Sequence, residues 1–272
     1  MIIKTQAIVL NSWPFSETSQ VVAWLTSDYG KIATIIKGAQ RPKNFFLGRC
    51  DLFYTCELLF YLRLFQGLHI VKECFPLKNR PALRSYWPGT ACASYFSSLV
   101  AKVTPLYAPQ HGVYVLLNAA LDFFAEEEKN LEISLYWFEM KLLQILGLTP
   151  VLHSCLQCRR PLMAAGAATD EKIYAAFSAA RGGVLCAACH AKYKADAVRI
   201  AADTLALLRF WQSSHKTTAI RNTAYNERQI KEIGVLLGNF LQHHLETENT
   251  GRPIALAVLR KWREMNFQPL KM

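Results

Sequence analysis

The chain has 272 residues, of which 52% are hydrophobic, so it is long enough to bury one large core or two to three smaller ones. Its formal net charge of +11 at pH 7 favours a polyanionic partner, since each cation that neutralises a phosphate releases a counterion. The start of the chain lacks the features of a secretory signal, and no uncharged run reaches the roughly 20 apolar residues of a bilayer span. We therefore expect a folded cytosolic protein and exclude a membrane-spanning one.

The positive charge is unevenly distributed. Residues 1–80 carry ten Lys and Arg against five acidic residues, and residues 201–272 carry ten against six. Residues 151–200 carry seven against three, whereas residues 81–150 are mildly acidic, with four against six. A solvated basic surface without a partner has the same composition, so charge alone does not identify what the protein binds.

The first eighty residues have the pattern of β-strands. Five short runs rich in β-branched and aromatic residues are separated by turn formers such as SDYG and GAQRPKN. The runs are AIVLN, VVAWLT, KIATIIKG, TCELLFYLR and LHIVKEC. Five strands in a segment of this size predict a small closed barrel. Periodicity does not separate an OB-fold from an SH3-like barrel, and we favour the OB-fold.

After residue 80 the pattern becomes helical. In NLEISLYWFEMKLLQILG the apolar residues recur at steps of three and four, which predicts a helix central to a bundle. The residues of this stripe are Leu131, Leu135, Phe138, Leu142 and Ile145. Further helices are expected in GVYVLLNAALDFFAEEE, ADTLALLRFWQSS and NERQIKEIGVLLGNFLQHHLE. In the last of these, Asn226 and Gln229 have the spacing of a capping box.

Two Cys-x-x-Cys pairs interrupt the helical region, with 27 residues between them. Each pair can offer two thiolates to one side, and four sulfur ligands at about 2.3 Å suit Zn²⁺. Because four sulfurs leave no open position for a substrate, we predict a structural zinc site that fastens the Ala- and Gly-rich loop 159–185. The predicted ligands are Cys155, Cys158, Cys186 and Cys189.

Other uses of the cysteines remain open at this stage. A pair of disulfides is disfavoured by the cytosolic expectation, and a redox Cys-x-x-Cys rarely occurs doubled. Either His153 or His190 could replace one thiolate. The remaining cysteines stand singly and are expected to be small buried hydrophobes; they are Cys50, Cys56, Cys74 and Cys92.

The stretch KIATIIKGAQRPKNFFLGR combines cations with aromatic residues. Single-stranded nucleic acid is held by this mixture, because cations follow the phosphates and aromatic faces stack on bases. The alternative is a solvated hairpin whose phenylalanines close the end of the barrel. The residues concerned are Lys31, Lys37, Arg41, Lys43, Arg49, Phe45 and Phe46.

The order of these segments resembles the RecO family of bacterial recombination mediators. The resemblance lies in the Ala-Ile-Val-Leu opening strand, the bend at 15–18, the Thr-x-x-x-Gly-Lys stretch at 26–31 and the Lys-Gly-x-x-Arg-Pro-Lys turn at 37–43. It continues through Gly-Leu-x-Pro at 147–150, the four cysteines and the last predicted helix. The bend departs from the family pattern, since Thr18 and Ser19 stand where an aspartate is usual.

The resemblance implies an α+β multidomain fold and a role in DNA repair and recombination. It implies an OB-fold at residues 1–80, a helical domain at 81–150 and 199–272, and an inserted zinc module at 151–198. RecO-like proteins bind single- and double-stranded DNA, anneal complementary strands and, with RecR and in some cases RecF, load RecA onto DNA coated by single-stranded-DNA-binding protein. They are cytoplasmic, nucleoid-associated and not enzymes. The resemblance implies that DNA is held by Lys37 and Arg41, with Lys31 and Lys43 as neighbours.

Two other classes of function remain open. A zinc-ribbon RNA-binding or ribosome-associated factor would also be basic and cytosolic. A metal-dependent enzyme would need an open zinc position and a nearby general base. The sequence contains no Gly-x-x-x-x-Gly-Lys-Ser/Thr loop for a nucleotide, so annealing by this chain would not draw on bound ATP.

Overall fold

A computed structural model describes residues 1–41, 44–63, 67–127, 130–162, 175–192, 197–214, 217–221, 223–245 and 251–266. The chain forms two compact units: Met1–Leu131 together with Thr250–Met272, and Glu132–Asn249. The first unit therefore contains the first eighty residues, the segment 81–131 that follows them and the end of the chain. The four domains expected from the sequence remain a prediction, because these two compact units do not test their boundaries.

The first unit begins with a closed barrel of five strands. The strands follow the order β1-β2-β3-β5-β4, and β4 pairs back onto β1. All neighbours are antiparallel except β3 and β5, which are parallel. This is the topology of an OB-fold, which confirms the favoured prediction. The strands are β1 (Ile2–Pro14), β2 (Gln20–Thr26), β3 (Gly30–Ile36), β4 (Thr55–Tyr61) and β5 (His69–Lys78).

Alternation of apolar residues along the strands builds the barrel core. Trp24 is fully buried there, and its indole Nε1 donates a hydrogen bond of 2.8 Å to Thr34 Oγ1. The prediction for the single cysteines is confirmed, because Cys50, Cys56 and Cys74 belong to this core and Cys92 is buried as well.

The β2–β3 turn explains the Thr-x-x-x-Gly-Lys stretch. Thr26 Oγ1 donates to the Gly30 carbonyl at 2.8 Å and accepts from the Tyr29 amide at 2.9 Å. Gly30 has a φ of 69°, and a Cβ there would lie 2.0 Å from the Ala108 carbonyl oxygen. Only glycine therefore fits this position.

The helices of the first unit pack around α1, which contacts both α2 and α8. The pattern of the sequence predicts α2 but not the other two. Pro88 and Gly89 at the start of α1 obscure its helical period, and Gly89 is needed because a Cβ would lie 2.2 Å from the Phe124 carbonyl oxygen. The elements are a short 3₁₀ helix (Pro81–Arg84), α1 (Trp87–Val103), α2 (His111–Glu126) and α8 (Gly251–Asn266).

The buried Arg80 joins the barrel to α2. Its guanidinium donates to the Phe53 carbonyl at 2.6 Å and to Asp122 at 2.7 Å. It also donates to Thr55 Oγ1 at 3.0 Å and to Asn118 Oδ1 at 2.8 Å. Because every partner is an acceptor, the charge is compensated although only 7% of the residue is exposed.

The second unit contains the predicted central helix. The stripe on α3 is buried at four of its five positions, and Ile145, in the last turn, is 43% exposed instead. The capping box at the start of α7 is confirmed, since each of Asn226 and Gln229 accepts from the other's amide at 3.0 Å. The helices are α3 (Leu131–Ile145), α4 (Ala187–His190), α5 (Ala202–Ser213), α6 (Thr218–Arg221) and α7 (Glu227–Leu245).

A small sheet of order β7-β6-β8 lies in the same unit. It consists of β6 (Ala175–Ser178), β7 (Gly183–Leu185) and β8 (Val198–Ile200). The described end of the segment that we expected to be an Ala- and Gly-rich loop is thus an antiparallel hairpin. Gly183 allows close approach to the chain before the first cysteine pair, because a Cβ there would lie 2.3 Å from the Val151 carbonyl oxygen. None of the described helices, in either unit, has the length and apolar character to cross a membrane.

Candidate nucleic-acid interface and metal centre

The basic turn follows β3 directly and presents two cations to solvent. Lys37 and Arg41 are both exposed. Between them Gly38 has a φ of 69°, and its carbonyl accepts the Arg41 amide at 3.0 Å. The Asn44 amide donates in turn to the Arg41 carbonyl at 3.1 Å. The fourth expected DNA-binding residue, Lys43, lies outside the described residues.

The β1–β2 bend holds this turn in place. The Gln40 amide donates to the Thr18 carbonyl at 3.0 Å, and the Gly38 amide donates to Ser19 Oγ at 3.4 Å. Ser19 is itself fixed by a bond from its amide to Ser16 Oγ at 3.2 Å. The bend therefore works without a carboxylate, since the Ser19 hydroxyl accepts the hydrogen bond from the turn.

The aromatic residues after the turn divide into two roles. Phe46 packs against the barrel core, as expected if it closes the barrel end. Phe45 is 47% exposed and lies edge-on to Phe75, with ring centroids 5.8 Å apart. The guanidinium carbon of Arg49 lies 3.7 Å from the centroid of the Phe45 ring. An exposed aromatic face beside a cation is the combination that stacks bases.

Lys31 lies apart from the other cations. It is half-buried at the start of β3, and its ammonium donates to the Ala101 carbonyl on α1. Burial lowers the pKa of this ammonium. Lys37 lies six positions further along the extended chain, a distance of about 20 Å at 3.3 Å per residue. The structure thus brings Lys37 and Arg41 together but places Lys31 at the opposite end of β3.

Two exposed aromatic residues near the bend were not anticipated. Trp13 is 44% exposed at the end of β1, and Phe15 is 59% exposed in the bend itself. The loop between the first two strands is one of the loops through which OB-folds bind oligonucleotides. Two large aromatic residues within three positions of a turn-forming stretch are the signal that could have revealed them.

The four predicted cysteines lie together and form a candidate metal centre. The four sulfur atoms all lie within 4.8 Å of one another, and those of Cys158 and Cys186 are 3.8 Å apart. A tetrahedron of sulfurs around Zn²⁺ has edges of about 3.8 Å, given a metal–sulfur distance of about 2.3 Å. Cys155, Cys158, Cys186 and Cys189 therefore fit a metal ion such as zinc.

Two backbone segments position these sulfurs. The Arg159 amide donates to the Cys155 carbonyl at 2.9 Å, and the Cys155 amide donates to the Arg160 carbonyl at 2.9 Å, which closes the first turn. The Leu156 amide donates to the Val184 carbonyl at 2.9 Å. That bond fixes the first cysteine pair against β7, and the second pair follows β7 directly.

The thiols of the cluster differ in acidity. Burial raises the pKa of Cys155, but backbone hydrogen bonds from Cys158, Cys186 and Gln157 outweigh it and lower the pKa to about 6. The pKa of Cys189 is raised to about 12 by its hydrogen bond with Cys186, by burial and by the other two thiols. Four adjacent thiolates repel one another, so full ionisation of the cluster requires a cation at its centre.

The two histidines considered as replacement ligands are not part of this group. His153 and His190 are both among the described residues, and the metal-compatible cluster there contains cysteines alone. The arrangement is that of a closed four-sulfur site.

Together, an OB-fold barrel with an exposed basic turn and a helical region with a four-cysteine cluster that fits a metal define a class of protein in which the barrel commonly serves nucleic-acid binding. Comparison with known proteins makes this specific. Residues 1–80 match the family described as "Recombination protein O N terminal", and residues 85–253 match "Recombination protein O C terminal". The chain belongs to the RecO family of DNA repair proteins.

Individual relatives agree over most of their length. The DNA repair protein RecO of Desulforudis audaxviator is 30% identical over 260 residues, which cover 95% of this chain and 96% of the relative. That of Prosthecochloris aestuarii is 25% identical over 248 residues, covering 90% and 93%. That of Alkaliphilus metalliredigens is 32% identical over 192 residues, covering 70% and 73%.

Proposed function

We propose that this chain is a non-catalytic recombination mediator that binds single- and double-stranded DNA and anneals complementary strands. With RecR, and with RecF as an optional partner, it promotes loading of RecA onto DNA coated by single-stranded-DNA-binding protein. The proposal places it in the cytoplasm, associated with the nucleoid. The observation that supports this proposal most directly is the basic turn. Lys37 and Arg41 are exposed there, and the backbone of the turn is bonded to the β1–β2 bend.

The proposed mechanism is electrostatic. Cations that neutralise sugar-phosphate backbones leave the base edges free, so two strands held in this way can still pair. The aromatic faces of Phe45, Trp13 and Phe15 would add stacking, which tolerates any base. Neither contribution consumes ATP.

The proposed metal is Zn²⁺, held by Cys155, Cys158, Cys186 and Cys189. When bound, it would supply a fixed crosslink between the two cysteine pairs and no open position for chemistry. Independently of the metal, the bond from the Leu156 amide to the Val184 carbonyl joins the first turn to β7. On this view the metal stabilises the module, and the DNA affinity comes from basic side chains.

Annealing on coated DNA tests the proposal. Complementary oligonucleotides covered with single-stranded-DNA-binding protein should pair faster when the chain is added without ATP, and RecR should alter that rate. A parallel series with RNA strands separates the proposal from an RNA-binding factor. Folded, metal-loaded protein that fails to accelerate DNA pairing, or that acts on RNA alone, would refute it.

A further inference from the structure

A second group of cations lies next to the four-cysteine cluster in the chain. Arg159, Arg160 and Lys192, here called the knuckle cations, are all exposed. Each lies within three residues of a cysteine ligand, Cys158 or Cys189. Three residues of chain span at most about 11 Å, so all three backbone positions lie close to the metal site.

The knuckle cations are not consumed by ion pairs in the described part of the unit. By contrast, Arg228 of the same unit pairs with Asp203 and Glu232. The acidic residues of the segment 151–200 are Asp170, Glu171 and Asp196, and all lie outside the described residues. Even with these included, the segment has seven Lys and Arg against three acidic residues. Four thiolates and one Zn²⁺ would together carry a charge of −2, which three cations more than offset.

The backbone at Arg159 is a conformational outlier. Its φ is 59°, in the left-handed region that a glycine adopts readily and an arginine rarely does. The turn fixes it there through the bond from the Arg159 amide to the Cys155 carbonyl and the bond from the Cys155 amide to the Arg160 carbonyl. A residue kept in an unfavourable conformation points to a role for its side chain, and this side chain is exposed, as are those of Arg160 and Lys192.

We propose that the knuckle cations bind the phosphate backbone of single-stranded DNA and give the second unit a nucleic-acid surface of its own. Guanidinium groups suit this role because their forked donors match phosphate oxygens. The inference rests on the proposed function for the identity of the polyanion. It adds a second binding surface to that of the barrel, and two surfaces on one chain can hold two strands.

The test compares variants of the full chain by single-stranded DNA affinity at several salt concentrations. Arg159→Gly removes one charge and relieves the left-handed backbone, so zinc content and thermal stability should stay the same or rise while affinity falls. The slope of log affinity against log salt should become shallower by about 0.7 for Arg159→Gly and by about 2 when Arg160→Gln and Lys192→Gln are added. Lys231→Gln, an exposed cation on α7 of the same unit, serves as the matched control and should leave the slope unchanged.

The outcomes separate this inference from the proposed function. An unchanged slope in zinc-loaded Arg159→Gly, with normal binding by the wild-type chain, would overturn the second surface and leave the proposed function standing. Loss of affinity that follows zinc content across the variants would also overturn it, because the cations would then act only through the metal. Lost RNA binding with unchanged DNA binding would overturn it too. A wild-type chain that binds no DNA would refute the proposed function itself.

Discussion

The barrel and the four-cysteine module present basic residues by different means. In the barrel, strands closed by hydrogen bonds enclose an apolar core, and the basic turn is fastened to it by backbone bonds with the β1–β2 bend. The module has short strands of three and four residues, and its two cysteine pairs converge on one point. A surface turn can thus rest on a folded core beneath it, as in the barrel, or on cysteine ligands that can be crosslinked by a metal, as we propose for the module.

Removing the metal should produce the largest difference between the two regions. Chelation, or Cys155→Ser, is expected to unfold the module and leave the barrel folded, because metal binding contributes about 10–16 kcal/mol in small zinc-dependent peptides. Hydrogen exchange measures this through the amides of Leu156 and Val184, which bond to the Val184 and Val151 carbonyls at 2.9 Å.

The barrel amides provide the internal control for this experiment. Metal analysis should give one zinc per wild-type chain and a reduced content in Cys155→Ser. Full protection of the Leu156 and Val184 amides in metal-free protein would show that the module, like the barrel, is stabilised by its own packing.

A smaller effect is expected from the opposite change, which weakens the barrel and spares the module. Trp24→Ala removes a fully buried indole and should lower the free energy of unfolding by about 3–5 kcal/mol. It also leaves the buried Thr34 hydroxyl without its donor. Urea unfolding followed by circular dichroism gives the measurement.

Trp13→Ala is the matched control, since Trp13 is 44% exposed in the same barrel. Its expected cost is about 0.5 kcal/mol, as for most surface substitutions. Equal losses in the two variants would contradict the assignment of Trp24 to the core. A zinc content lowered in Trp24→Ala would contradict the separate stabilisation of the two regions.

Both regions could be predicted from the sequence, whereas helix α1 of the first unit could not. Strand alternation was enough to predict the barrel, because one face of each strand is buried. The four cysteines were enough to predict the metal cluster, because their spacing is a local property. Helix α1 escaped prediction, since Pro88, Gly89 and small side chains hide the helical period, and the close packing that Gly89 permits is a tertiary contact.

Within the candidate site the same distinction applies. Lys31 and Lys37 are both lysines near the ends of the same strand, and nothing in the sequence distinguishes their exposure. Lys31 is half-buried because its ammonium contacts the Ala101 carbonyl, which lies 70 residues further along the chain. The strained backbone of Arg159 is equally invisible in the sequence, because it depends on the hydrogen bonds that close the turn. The charge of each side chain could be predicted from the sequence, whereas its exposure to solvent depends on contacts that only the fold creates.

The most direct test of the central claim is the salt dependence of single-stranded DNA affinity for Lys37→Gln/Arg41→Gln. The matched control is Lys4→Gln/Lys72→Gln, which removes two barrel cations already paired with Glu57 and Glu73 at 2.9 Å and 3.3 Å. If the basic turn holds the phosphates, the slope of log affinity against log salt should become shallower by about 1.4 in the first variant and stay near wild type in the second. Equal slopes in the folded wild type and the folded Lys37→Gln/Arg41→Gln variant would contradict the account.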